Sequence, residues 1–310
     1  MSFRDTFPLI SYYFGKKLQV LNTVFYRKKP VKWTLKRYKQ KFGVSLNLKD
    51  PKAFYEKMNY WKHFSYSKDQ DILTDKILVK NFLDKLGYGD MCAKCYYSSD
   101  NIKDIKKWVN DNKDTYKRFV LKTSHSCGDV FIYDNGTITK KGGRAISNLR
   151  KVYKMLKIGL KFNHYYSRFE QNYKNLSPKV FIEEFIDFDQ SSIEYEIMTN
   201  YGVPKFSNIV FDRQGENPRE AIFDSDFKFL ANNIGEVDVE SANKVSKPRD
   251  YDRILKLVHT VCEKFPFCRV DFVQTNEKTY FCEFTFSKSG GMNIYKPKEL
   301  NNKLGDLFNL

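Results

Sequence analysis

Two hydrophobic rhythms divide the chain. Up to about residue 114 the apolar positions recur at helical spacing, and beyond it short alternating runs predominate. Residues 1 to about 70 read as helical, with Phe7, Tyr12, Phe14 and Phe25 loosely in phase. Asn47-Leu48-Lys49-Asp50-Pro51 is a turn, with Asp50 as a cap and Pro51 in the first turn of a helix carrying Phe54, Met58 and Trp61. A second helix is expected from Leu73-Thr74-Asp75 through Ile77, Val79, Phe82 and Leu83 to Gly87, and a polar one over Asp100 to Asp114. Strands follow at Arg118 to Thr123, Val130 to Tyr133 and Thr137 to Thr139. The last two flank Asn135-Gly136, the strongest short hairpin signal. A basic helical stretch, Ala145 to Arg168, precedes further strands at Lys179 to Ile186, Ile193 to Thr199, Pro204 to Phe211 and Ala221 to Phe223. Asp250 to Phe265 is an amphipathic helix with Tyr251, Ile254, Leu255, Val258 and Cys262 on one face, closed by Pro266. Strands Cys268 to Gln274 and Lys278 to Phe286 end the pattern, and no long-period repeat recurs.

Composition narrows the class. In 310 residues, 41% hydrophobic and 16% aromatic content excludes intrinsic disorder. No run approaches eighteen uninterrupted apolar residues, the usual mark of a spanning helix. Met1 to Leu21 interleaves Arg4, Asp5, Lys16 and Lys17 with its apolar residues, so no secretory signal is expected. Six cysteines in this length form no disulfide scaffold, and a soluble, cytoplasmic protein is expected. A net charge of +17 predicts affinity for phosphates, nucleic acid or an anionic membrane. The lysines are spread widely except from Arg27 to Lys41, and no zinc-finger, helix-turn-helix or RNA-recognition pattern accompanies them. Nucleic acid is therefore not the expected partner. The Ser11 to Lys41 segment is either a helical lobe packed on the core, which is favoured, or a peripheral contact with an anionic membrane.

The terminal hairpin carries the most chemistry. Alternation puts Arg269 and Asp271 on one face, and Glu283 and Thr285 on a face opposite Cys282, Phe284 and Phe286. A connection centred on Glu277 brings Asp271 beside Glu283. Adjacent carboxylates repel unless a cation joins them, and a hard divalent ion such as Mg²⁺ suits them, as do lysines on a solvated face. Lys122, at a strand end before the polar loop Ser124 to Asp129, is a candidate phosphate ligand or a plain surface lysine. Lys76 beside Asp75 is a second candidate or a helix-terminal ion pair. Strand, glycine-containing loop and hairpin together suit a polyanion held by backbone N–H groups.

These segments resemble, in order and spacing, the ATP-grasp superfamily, and more closely its TupA-like family of bacterial surface-polysaccharide biosynthesis. The resemblance runs from about Phe42 to Leu310. It includes LNLKDPKAFYEKMNYW, TDKILVKNFL, FVLKTSHSCGD, EEFI, FPFCRVDFV, YFCEFTFSKSGG and LGDLFNL. It implies an α+β ATP-grasp fold with a helical N-terminal extension over 1–70 and a core over 71–310. Within that core, about 115–186 would hold the phosphate loop and hinge, and about 187–310 the metal-binding lobe. It also implies ATP and Mg²⁺ as cofactors. Lys76 and Lys122 would contact the phosphates beneath the mobile loop Ser124, His125, Ser126 and Gly128. Glu183, Glu184 and Ile186 would line the adenine hinge, Asp271, Glu283 and Thr285 would hold Mg²⁺, and Arg269 would face the transferred phosphoryl group. His125 matches a family position and is taken as a phosphate or substrate contact.

The implied reaction activates a carboxylate as an acyl phosphate for attack by an amine, during amino-acid decoration of a uronic-acid-containing or lipid-linked glycan. A glycan kinase, a glycosyltransferase-like enzyme and a non-catalytic basic binding protein are the alternatives. The enzyme would be cytoplasmic or at the inner face of the membrane. Some positions depart from the family pattern. Ser126-Cys127-Gly128 replaces glycine-serine-glycine, and Glu194-Tyr195-Glu196 stands for Asp-Tyr-Lys. Lys80 replaces an arginine, and Lys288 is a new cation that would compensate for the one lost at Glu196. Cys92 and Cys95 read as a reduced structural pair. His164 and His259 show no partners in the sequence.

Overall fold

The computed structural model describes residues 8–188, 192–211 and 218–310, so Phe7 lies outside the described residues. The chain adopts the expected α+β architecture, with two antiparallel six-stranded sheets and flanking helices. It separates into two compact units. One comprises Met1–Pro30, Asp71–Lys85 and Ala93–Ile186, the other Val31–Gln70, Leu86–Cys92 and Asp187–Leu310.

The first unit is built on β1 (Cys95–Ser99), β2 (Arg118–Thr123), β3 (Val130–Asp134), β4 (Thr137–Lys140), β5 (Arg144–Ala145) and β6 (Val180–Glu184), in the order β1-β6-β2-β3-β4-β5. The Asn135-Gly136 turn forms as expected, with φ of 48° and 90°, the left-handed pair whose twist matches the flanking strands. Phe119, Leu121, Val180 and Ile182 share a core with Ile105 and Val109 of the helix Ile102–Asn112 and with Val152 and Leu156 of the helix Leu149–Gly159. Alternation turns Val120, Lys122 and Glu183 to the other face. The expected helix from Leu73 is broken. Asp69–Thr74 ends, and Leu78–Lys85 begins with Asp75 Oδ1 accepting from the N–H of Ile77 (2.8 Å) and Leu78 (3.0 Å). The expected helix from Ala145 to Arg168 is likewise two pieces, Leu149–Gly159 and Tyr165–Arg168, with Ala145 in β5.

The second unit carries β7 (Ile193–Asn200), β8 (Val203–Phe211), β9 (Arg219–Asp224), β10 (Phe229–Ile234), β11 (Cys268–Gln274) and β12 (Thr279–Thr285), in the order β10-β9-β8-β7-β11-β12. β10 lacks clean alternation, which is why its sequence gave no strand signal. On one face Tyr195 meets Phe227, and Phe227 meets Tyr251, which seats the amphipathic helix Tyr251–Cys262. The opposite face is apolar at one end, where Met198, Phe206 and Ile222 pack against Phe54, Met58, Trp61, Phe267, Tyr295 and Phe308. Trp61 and Phe267 lie parallel, with centroids 5.4 Å apart. The helix bearing Phe54, Met58 and Trp61 runs over Phe54–Phe64. Asp50 does not cap it. Glu56 reaches back to the N–H groups of Ala53, Lys52 and Asn47 instead, because the helix starts three residues later than Pro51 predicts. Asn47 closes the turn by accepting from Lys49 and Asp50.

Two glycines test this packing in opposite senses. A Cβ on Gly305 would lie 2.1 Å from the Lys52 carbonyl oxygen, whereas one on Gly15 meets nothing within 4 Å. Gly305→Ala is expected to cost about 3 kcal/mol or more in urea unfolding, because backbone must move. Gly15→Ala, in the exposed helix Pro8–Leu21, is expected to add up to about 1 kcal/mol.

Candidate functional site

The first unit gathers a cationic group around one buried carboxylate. Glu183, 4% exposed on β6, pairs with Lys122 of β2 and with Lys80, whose Nζ is 2.5 Å from Oε2 and 2.6 Å from the Ala93 carbonyl. Burial alone would raise the Glu183 carboxyl, but Lys122 and Lys80 outweigh it and hold it below its ordinary value. Two ammonium groups share this one carboxylate. Glu183 thus orients the lysines. Glu184 instead joins β6 to Lys94, accepting from its N–H at 3.1 Å. Ile186 lies just beyond the end of β6.

Lys76 occupies the break between two helices. Its N–H donates to Ser124 O (3.2 Å) and its Nζ to Ser126 O (2.8 Å), so it holds the polar loop at two points. Asp129 anchors the loop from below, accepting from Tyr12 Oη (2.6 Å), Lys16 Nζ (2.8 Å) and Ser126 Oγ (2.8 Å). The Ser126 hydroxyl is thereby used inside the lobe. His125 is 2% exposed, and its Nε2 lies 3.2 Å from Phe162 O; burial lowers its pKa, so the ring is neutral and donates from Nε2. Its Nδ1 and the Ser124 hydroxyl are buried without a partner among the described residues. Gly128, at φ +84°, makes the left-handed turn that closes the loop. His164 does have a partner: its Nε2 is 3.4 Å from Cys127 Sγ and 3.8 Å from Glu170. Burial pushes His164 down to about 4, so that contact joins a neutral imidazole to the thiol. Chain folding brings together this pair, 37 positions apart, in a contact that sequence spacing does not show.

The second unit places carboxylates in a row across three strands. Asp271 pairs with Glu283 of β12 on one side, as the hairpin symmetry predicts, and with Glu196 of β7 on the other. A bulge then shifts the register between Asp271 and Phe272. It turns Cys282 outward and puts Phe281 beside Phe284, with centroids 4.9 Å apart; strict alternation had placed Cys282 there. Arg269 forks onto Asp271, with Nε 2.7 Å from Oδ1 and Nη2 2.5 Å from Oδ2, and lies 3.3 Å from Glu283 and 3.4 Å from Glu196. Thr285 is the partner of Arg269 across the ladder. Lys288 bridges Glu196 (2.8 Å) and Glu220 (2.7 Å).

Oxygen atoms of Glu194, Glu196 and Asp271 all lie within 4.8 Å of one another. Burial raises Asp271, and the neighbouring Glu196, Glu283 and Glu194 raise it further, outweighing the Arg269 fork. Burial would also raise Glu196, but Arg269 and Lys288 bring it well below its ordinary value. Asn208 donates to Glu196 and shares Nδ2 with Tyr295 Oη, both at 3.0 Å, while its buried Oδ1 has no partner among the described residues. Three buried carboxylates form an all-oxygen donor set of the kind that a hard divalent cation takes. Glu194, Glu196, Asn208 and Glu220 were not among the candidate ligands read from the sequence. Glu194 and Glu196 share alternation parity, but their pairing with β11 is a long-range contact.

Residues 56–309 match the family described as TupA-like ATPgrasp. The chain belongs to that family. Among solved structures this ATP-grasp protein resembles D-alanine-D-alanine ligase from Helicobacter pylori, at 17% identity over 77% of this chain and 62% of that one, TM-score 0.42. The corresponding ligase from Bacillus anthracis shows 14% identity over 76% and 66%, TM-score 0.37. The ATP-grasp ligase PsnB shows 9% over 82% and 63%, TM-score 0.38. The chain spans less than two thirds of the length of these three structures. No curated protein matches the sequence.

The loop anchor gives a pH-dependent prediction. Asp129 is held low by Lys16 against the opposing effect of burial, so its contribution to stability is present above the unfolded carboxylate pKa and is lost as pH falls through the folded value. Lys16→Ala should cost about 3–5 kcal/mol at neutral pH by stranding the buried carboxylate. The gap to wild type should narrow below about pH 4, where the variant's Asp129 is protonated. Urea titrations at pH 7 and pH 3.5 measure both.

Proposed function

We propose that this chain is an ATP- and Mg²⁺-dependent ligase that joins a carboxylate to an amine, with a bacterial surface polysaccharide as the molecule decorated. The buried group of Glu194, Glu196 and Asp271 with Arg269 carries the reading: it is an oxygen donor set beside a fixed guanidinium, in a chain of the ATP-grasp family. Glu194, Glu196 and Asp271 would hold Mg²⁺, whose charge offsets that of the nucleotide phosphates during transfer. Lys122 and Lys76 would bind phosphate oxygens, and the loop Ser124 to Gly128 would present backbone N–H groups to them.

The chemistry then needs no nucleophilic side chain. A substrate carboxylate oxygen attacks the terminal phosphorus, the bond to the bridging oxygen breaks, and ADP leaves with an acyl phosphate formed. The amine attacks the acyl carbon, phosphate departs, and the amine loses a proton as the amide forms. Arg269, held at both carboxylate oxygens of Asp271, would offer a fixed positive charge to the transferring group. A uronic acid supplies the carboxylate and an amino acid the amine under this proposal, at the cytoplasmic side.

Calorimetry should show ATP binding that requires Mg²⁺, weakened at least 10-fold by Asp271→Asn or Glu196→Gln. Lys122→Ala should weaken ATP binding as well. ADP release that needs both an acid and an amine identifies a ligase. Release with a hydroxyl acceptor alone would identify a kinase, and a wild-type protein indifferent to ATP would sink the proposal.

A further inference from the structure

The helix Pro8–Leu21 has two apolar faces, and only one of them is used within its unit. Tyr12, at 9% exposure, joins the core of the first unit, and Lys16 is fixed on Asp129. These residues are one turn apart and define the inward face. At 100° per residue, Ile10, Leu21, Phe14 and Leu18 fall within an arc of about 80° on the opposite side. They are 45%, 56%, 56% and 57% exposed, and Phe25, in the short turn Val24–Tyr26 that follows, is 92% exposed. A helix that packs by one face ordinarily turns polar residues to water on the other. Four large apolar side chains aligned outward, with a phenylalanine beyond them, form a stripe that a solvated helix does not need.

The charges around the stripe have one sign. Lys17 flanks it, its Nζ lying 4.6 Å from the Tyr13 ring centroid, and Arg27, Lys28 and Lys29 follow at its C-terminal end, all exposed. From Pro8 to Pro30 the chain contains no Asp or Glu. Among the described residues no helix is long and apolar enough to cross a membrane.

We propose that the Ile10–Phe14–Leu18–Leu21 stripe, with Phe25 and the basic residues beside it, seats this protein on the surface of an anionic lipid bilayer. The apolar side chains would enter the headgroup boundary while Lys17, Arg27, Lys28 and Lys29 lie among anionic headgroups. The geometry selects a bilayer over a soluble polyanion. Phosphate on a free ligand accounts for the lysines and leaves the apolar arc in water, whereas a bilayer satisfies both.

Flotation of the full-length protein with vesicles of phosphatidylcholine containing 30% phosphatidylglycerol tests this. Wild type should float with these vesicles, at least 10-fold less with pure phosphatidylcholine, and less again at 0.5 M NaCl. Phe14→Ser with Leu18→Ser should reduce flotation at least 10-fold at low salt, and Lys28→Glu with Lys29→Glu should do so by the charge route. These side chains point away from the core, so the thermal midpoint of each variant should match wild type. Wild type that stays at the bottom of the gradient overturns the proposal. So does flotation unchanged by Phe14→Ser with Leu18→Ser, which would place the lipid contact elsewhere. A wild-type dimer in solution that the same pair converts to monomer would assign the stripe to a second copy of the chain and overturn it too.

Discussion

Burying Asp271 in a sheet brings a guanidinium to both of its oxygens, and the second unit is organised around that contact. Arg269, two residues earlier on the same strand, supplies the fork. The same guanidinium touches Glu196 and Glu283 on the neighbouring strands, so three strands share one cation. Lys288 approaches from the segment after β12 and divides its charge between Glu196 and Glu220. Four carboxylates and two cations on one sheet face form a single network.

The face of that sheet is divided by composition. Met198, Phe206 and Ile222 give it an apolar end that the helix Phe54–Phe64 and the C-terminal residues cover, and this end sets the strands in place. Glu196, Asn208 and Asp271 continue the same face as a polar end. Rigid apolar packing next to a buried polar row is what keeps carboxylate oxygens close without solvent screening. The first unit uses the opposite economy, with one carboxylate, Glu183, holding two lysines.

Glu196 illustrates how an added buried carboxylate is absorbed. Taken alone, a carboxylate at that strand position adds repulsion to Asp271, and its effect on Asp271 is felt as a raised carboxyl. Lys288 supplies a cation at 2.8 Å, from a residue 92 positions away along the chain. The Ser126-Cys127 pair is tied down differently. The Ser126 hydroxyl bonds to Asp129 and Thr123, while Cys127 lies near His164.

Local rules alone determined a good deal here. Alternation and turn chemistry located β2, β3, β4, β6, β7, β8, β9, β11 and β12 and the β3–β4 and β11–β12 hairpins, because side-chain parity and an Asn-Gly turn depend on adjacent residues only. Hairpin symmetry even paired Asp271 with Glu283. It missed the bulge that exposes Cys282, since a single extra residue leaves no mark in the pattern. The resemblance of ordered segments identified the ATP-grasp family. Tertiary structure alone decided that β7 lies against β11 and so brings Glu194 and Glu196 to Asp271, that Lys80 and Lys122 share Glu183, and that Tyr12 and Lys16 reach Asp129. Each of these joins residues far apart in the chain, where no periodicity operates. Their partners are chosen by the cost of burying an uncompensated charge, which exists only once the chain has folded.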